Sequence, residues 1–122
     1  MKIQIKATHI SLTPEITSYL EKKLAMLEKF VQGHEEVLLA SEIGKSTEHH
    51  KSGDVFRAEF NLYLRGGSLR AVAEASDLYS AIDQAKDELL SELKTHKSKK
   101  RDIFRKSALK LKNLLKGLAG RA

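Results

Sequence analysis

The sequence predicts a two-layer α+β sandwich in the order β-α-β-β-β-α, a four-stranded sheet carrying two helices on one face. A basic amphipathic helical extension follows at the C-terminus. Three observations predict it. Several short segments alternate apolar and polar residues at period two, two longer ones space their apolar residues by threes and fours, and a Gly-Gly step joins the two clearest strands.

The first strand is KIQIKA (residues 2–7), with Ile3 and Ile5 on one face and Lys2, Gln4 and Lys6 on the other. Thr13, Pro14 and Glu15 then supply an N-cap, a proline at the first helical position and an acid in the first turn. That helix is expected to run to about Gln32 and stop at Gly33, with a stripe of Ile16, Leu20, Leu24, Leu27 and Val31 and with Lys22, Lys23 and Lys29 off the stripe. A second strand over Glu36–Ile43 carries Val37, Leu39, Ser41 and Ile43 at period two.

After the polar loop KSTEHHKSGD, the segment VFRAEFNLYLR places Phe56, Ala58, Phe60, Leu62 and Leu64 on one face. Gly66 and Gly67 are expected to supply the positive φ angles of a tight hairpin, and SLRAVAEA returns with Leu69, Ala71, Ala73 and Ala75 inward. Asp77 or Ser76 caps the second helix, whose stripe is Leu78, Ile82, Ala85, Leu89, Leu93 and, at its boundary, His96. The first two strands, joined through a helix, are expected to be parallel, and the later ones an antiparallel meander. Residues 1–101 form the α+β domain, and 102–122 a basic tail with an apolar stripe of Phe104, Ala108, Leu111, Leu115 and Leu118. That tail either prolongs the second helix or folds separately.

Charge narrows the function. The net charge is +6 over 122 residues, but up to Ala85 there are 10 basic against 12 acidic residues, and from Lys86 onward 12 against 4. A cationic excess confined to the last third points to an anionic surface, nucleic acid above all. The absence of cysteine excludes disulfides, thiol nucleophiles and thiolate zinc sites and fits a reducing cytoplasm. The opening MKIQIKATHISL is too polar for a secretory signal, and no apolar run approaches a membrane span.

Motifs for catalysis are poor. Gly44-Lys45-Ser46-Thr47 resembles the end of a phosphate-binding loop, but Leu39 stands where an earlier glycine is needed and no helix pattern follows. His49 and His50 are adjacent in a loop and cannot form the i, i+4 pair of a helical zinc site. No nucleophile elbow and no carboxylate pair is legible, so no catalytic residue, metal, cofactor or small-molecule substrate is assigned. Tyr79 is expected to cover the sheet edge, and only seven aromatics in the chain argue against a stacked single-strand reader.

Lysines on rigid helices lose less orientational freedom on binding than lysines in a free tail. If the two helices lie side by side, Lys22, Lys23 and Lys29 join Lys86, Lys94 and Lys97 in one cationic face suited to RNA shape. A second reading gives the work to the tail, as a module recruiting a protein or lipid surface through its basic amphipathic helix.

Four segments carry a family resemblance: I-x-I-x-A-x-x-I-x-L-T-P-E-I, K-L-A-M-L-E-K-F, G-G-S-L-R-A-V-A-E-A and D-L-Y-S-A-I-D-Q-A-K-D-E-L. In order from about Lys2 to Arg101 they are similar to the ribosome hibernation promoting factor family, also called the ribosome-associated inhibitor or ribosomal subunit interface family. The D-x-Y-x-A-I-D signature from Asp77 to Asp83 is the most specific part. The resemblance implies a fold like a double-stranded-RNA-binding domain. It further implies binding of small-subunit ribosomal RNA in the decoding channel, overlapping mRNA and tRNA and silencing translation under stress or in stationary phase. The partners it implies are the small subunit and whole ribosome, met by a cytoplasmic protein that is monomeric off the ribosome. The matching basic positions are Lys23, Lys29, Lys86, Lys94, Lys97, Lys99, Lys100 and Arg101, as contacts to RNA phosphates. Met26 stands where a basic residue is common in the family, and the basic tail differs from both the long and the acidic-tailed short members.

Overall fold

The computed structural model describes residues 1–34, 36–46 and 53–119, with the backbone alone over 97–111 and 114–119. The order is β1 (Lys2–Thr8), α1 (Pro14–Ala25), a 3-10 turn (Glu28–Phe30), β2 (Leu38–Lys45), β3 (Phe56–Leu64), β4 (Gly67–Ala75) and α2 (Leu78–Ala119). The four strands form one sheet in the order β1-β2-β3-β4. β1 pairs parallel with β2 from Lys2↔Leu38 to Thr8↔Gly44, and the other two pairs are antiparallel. This is the predicted α+β sandwich.

The core lies between one face of the sheet and the two helices. Leu20, Leu24 and Leu27 meet Leu39, Ile43, Phe60, Leu62, Ile82, Ala85 and Leu89, all fully buried. Each of the larger side chains stabilises the fold by about 2 kcal/mol. A surface ion pair gives about 1 kcal/mol or less. Burial of the leucine stripe therefore places α1, and the lysines around it are carried along. Lys2, Gln4, Lys6, Arg57, Asn61 and Arg70 project from the opposite face of the sheet, where Glu59 accepts from Arg70 at 2.6 Å, Arg57 at 2.9 Å and Asn61 at 3.1 Å.

Three expectations shift. The first helix ends at Ala25 rather than Gln32. From Met26 onward the N–H groups of Met26, Leu27, Phe30 and Val31 bond to carbonyls three residues back, the tighter 3-10 pattern. That rotation turns Leu27 and Val31 into the core and leaves Phe30 packed at its edge, while Gly33, at φ +90°, still ends the segment. β2 begins two residues later than expected, because the parallel register starts at Leu38 and the Val37 carbonyl accepts from Lys2 N–H at 2.9 Å.

At the hairpin only Gly66 has positive φ (+92°), since Gly67 already pairs with Leu64 as the first residue of β4. Asp77, not Ser76, caps α2. Its carboxylate accepts from the Ser80 hydroxyl at 2.6 Å and N–H at 2.8 Å, and these bonds to the charged form lower its pKa below the usual aspartate value.

α2 continues through the tail as one helix of 42 residues, about 63 Å long at 1.5 Å per residue. Gly44 and Lys45 lie inside β2 rather than in a phosphate loop. A side chain on Gly44 would overlap the Thr8 carbonyl, so that glycine serves the close approach of β1 to β2. His49 and His50 lie outside the described residues.

A cationic groove between the two helices

The two helices cross the sheet side by side and run in the same direction. Contacts pair Tyr19 with Tyr79, Lys23 with Asp83 and Phe30 with Lys94, so both chains advance together along the seam. From Tyr79 to Lys94 that seam extends about 22 Å along α2.

At its first end the Tyr19 and Tyr79 rings meet edge to face, 4.7 Å between centroids at 89°. Tyr79, 41% exposed, thus packs on α1 instead of covering the sheet edge. The Tyr19 hydroxyl donates to Asp83 at 2.6 Å, and Lys23 Nζ lies 3.3 Å from the same carboxylate oxygen. That hydrogen bond, reinforced by desolvation and by the charges of Asp83 and Asp77, pushes the Tyr19 phenol up to about 12.

The other end is cationic. Ala25, Met26, Lys29, Phe30, Lys86, Leu90 and Lys94 line a groove of about 280 Å³ between the 3-10 turn and α2. The ammonium groups of Lys29 and Lys94 lie 5.1 and 5.6 Å from the centre of the Phe30 ring. The stem of Lys86 is buried and its ammonium pairs with Asp87. Among the described residues no carboxylate pairs with Lys29 or Lys94.

The nine basic residues expected from the sequence therefore divide. Lys29, Lys86 and Lys94 converge on one groove. Lys23 is tied to Asp83, about three turns of α2 before Lys94, and Lys22 is exposed on α1 outside the groove. Lys97, Lys99, Lys100 and Arg101 belong to α2 by backbone, with side chains outside the described residues. Sequence reading passed over Phe30 and the Asp83 and Asp87 pairings. Phe30 sits one residue off the apolar stripe beside a lysine, a signal too common to single out. His96 is half-buried against Leu69 and Thr95, as a boundary residue should be.

Among the described residues no group of three or more His, Asp or Glu side chains is arranged to hold a metal ion. No helix among them is long and apolar enough to cross a membrane.

The geometry has counterparts. The family described as sigma 54 modulation protein / S30EA ribosomal protein matches residues 3–101. A ribosome hibernation promoting factor of Klebsiella oxytoca is 30% identical over 99 residues, 81% of this chain and 96% of its own. One from Pseudomonas putida is 29% identical over 108 residues, 88% of this chain and 98% of its own. Among solved structures, the N-terminal domain of Thermus thermophilus protein Y superposes with a TM-score of 0.66 at 32% identity, covering 79% of this chain and 99% of that one. A ribosomal subunit interface protein from Coxiella burnetii shares the fold, with a TM-score of 0.64 at 23% identity over 80% of this chain and 99% of that one. By its sequence over residues 3–101, the chain belongs to the sigma 54 modulation protein / S30EA ribosomal protein family, that of the ribosome hibernation promoting factors.

Proposed function

We propose that this protein silences translation by binding the ribosome, with its helix seam set against small-subunit ribosomal RNA in the decoding channel, where it excludes mRNA and tRNA. The family and the names of the curated relatives support a role in ribosome hibernation. The observation that carries the RNA contact is the convergence of Lys29 and Lys94 on one groove, with no carboxylate partner among the described residues. Ammonium groups already neutralised by an internal acid release few counterions when a phosphate arrives, whereas these two release them fully. Lys22, Lys97, Lys99, Lys100 and Arg101 extend the same positive surface in this reading. Residues 1–101 act as the binding domain and 102–122 as an accessory arm of a cytoplasmic protein that is monomeric off the ribosome and needs no cofactor.

The test is co-sedimentation with small subunits and whole ribosomes on a sucrose gradient, alongside inhibition of cell-free translation. Charge reversal at Lys86, Lys94 and Lys97 together is expected to abolish both and to leave the circular dichroism spectrum unchanged. Full inhibition by the triple variant would mean that another face binds. Removing residues 103–122 separates the domain from the tail: retained binding supports the seam, and complete loss gives the contact to the tail.

A further inference from the structure

The groove at the cationic end of the seam holds more than charge. Met26, Phe30 and Leu90 line it together with Lys29, Lys86 and Lys94. Met26 is 52% exposed, an apolar thioether facing water in the middle of a basic surface. A site that served phosphates alone would have no use for such apolar lining, because a phosphate gains nothing by displacing water from a thioether and an aliphatic side chain.

We propose that this groove is a nucleotide subsite that takes one unpaired base of an RNA strand. The base packs against Met26, Phe30 and Leu90, and the phosphates on either side of it meet Lys29 and Lys94. The proposal rests on the RNA-binding reading above and adds base contact to it. Three observations select this occupant. A volume of about 280 Å³ suits a single flat ring rather than a lipid chain or a folded peptide segment. The lining contains no carboxylate, and the one acid paired with a lining lysine, Asp87, engages Lys86 and leaves Lys29 and Lys94 to meet a phosphodiester. Both free ammonium groups rest over the same ring, which keeps apolar surface and positive charge within one nucleotide's reach. A paired base is excluded from such a site, since in a duplex its faces are stacked and only its edges are open.

The experiment compares two strands of equal length and charge by fluorescence anisotropy: a short single-stranded oligouridylate, and the same backbone with its internal bases removed. The intact strand is expected to bind tighter by about 5- to 150-fold, the range spanned by one stacked base. The two strands should share the same dependence on salt, because both offer the same phosphates. Phe30→Leu removes the ring, and Met26→Gln changes an exposed position that the fold does not need. Each is expected to shrink the preference for the intact strand while the salt slope stays put. Equal binding of the two strands with a steep salt slope overturns the nucleotide subsite and leaves the phosphate-binding seam standing. Weak, salt-independent binding of both overturns the subsite together with the reading beneath it.

Discussion

The Tyr19 hydroxyl donates a 2.6 Å hydrogen bond to the Asp83 carboxylate, tying α1 to α2 across 64 residues of sequence. Because the acceptor is charged, losing the bond costs more than losing a neutral one, about 1.5 kcal/mol at this partly exposed position. Tyr19→Phe should lower stability by that amount in urea denaturation. The phenol is held up to about 12 against an ordinary 10.0. A raised phenol stabilises the fold fully below pH 10 and loses that contribution as pH climbs from 10 to 12. The difference between wild type and Tyr19→Phe should therefore close over that interval. An unchanged difference at pH 12 would show that the bond does not control the titration.

Lys23 and Lys29 differ in partner, and the difference is measurable. Lys29→Gln combined with Lys94→Gln should flatten the dependence of RNA affinity on salt by roughly 1.4 to 1.8 in the log–log slope, two contacts at 0.7 to 0.9 each. Lys23→Gln should move it by well under one contact, since Asp83 already offsets that charge in the free protein. A larger effect from Lys23 than from Lys29 would show that Asp83 lets go of its lysine on binding.

On the open face of the sheet, Glu59 sits among three donors, and the hydrogen bond from Arg70, with those from Asn61 and Arg57, holds its carboxyl below the ordinary 4.5. Such a lowered acid contributes stability above pH 4.5 and loses it as pH falls through the lowered value. Glu59→Gln should cost about 1 kcal/mol near neutrality. The wild type should converge on the variant below pH 4.5. Acid titration of both proteins by circular dichroism reads this directly, and parallel curves throughout would contradict it.

Gly44 faces the Thr8 carbonyl, whose carbon would lie 2.9 Å from any added Cβ. Gly44→Ala must push β1 away from β2 and should destabilise by about 3 kcal/mol, at the upper end of overpacking effects. The midpoint of chemical denaturation checks it. A neutral substitution would mean that the β1 edge yields easily.

Ser41 is buried on the core side of β2, and among the described residues its hydroxyl has no hydrogen-bond partner. An unsatisfied buried hydroxyl opposes folding, so Ser41→Ala should raise stability by about 1 kcal/mol. A loss of stability would reveal a partner for that oxygen in solution.

Most of the architecture was legible because periodicity reports burial directly. The alternation of Phe56 to Leu64 could only be a strand with one face inward, and Leu20, Leu24 and Leu27 could only point to the same side of a helix. Boundaries were less legible, because the turn after Ala25 depends on which helical hydrogen bonds let Leu27 and Val31 reach a core already shaped by the sheet. By itself the sequence determined the order of elements, the one-sided core and the concentration of positive charge after Ala85. Only the tertiary structure decided which lysines carry a free charge, because that depends on neighbours far apart in the chain. Asp83 claims Lys23 across the seam, while Phe30 gathers Lys29 and Lys94, 65 positions apart, over one ring. Coulomb and cation–π attraction act over a few ångströms of space, and sequence separation says nothing about that distance.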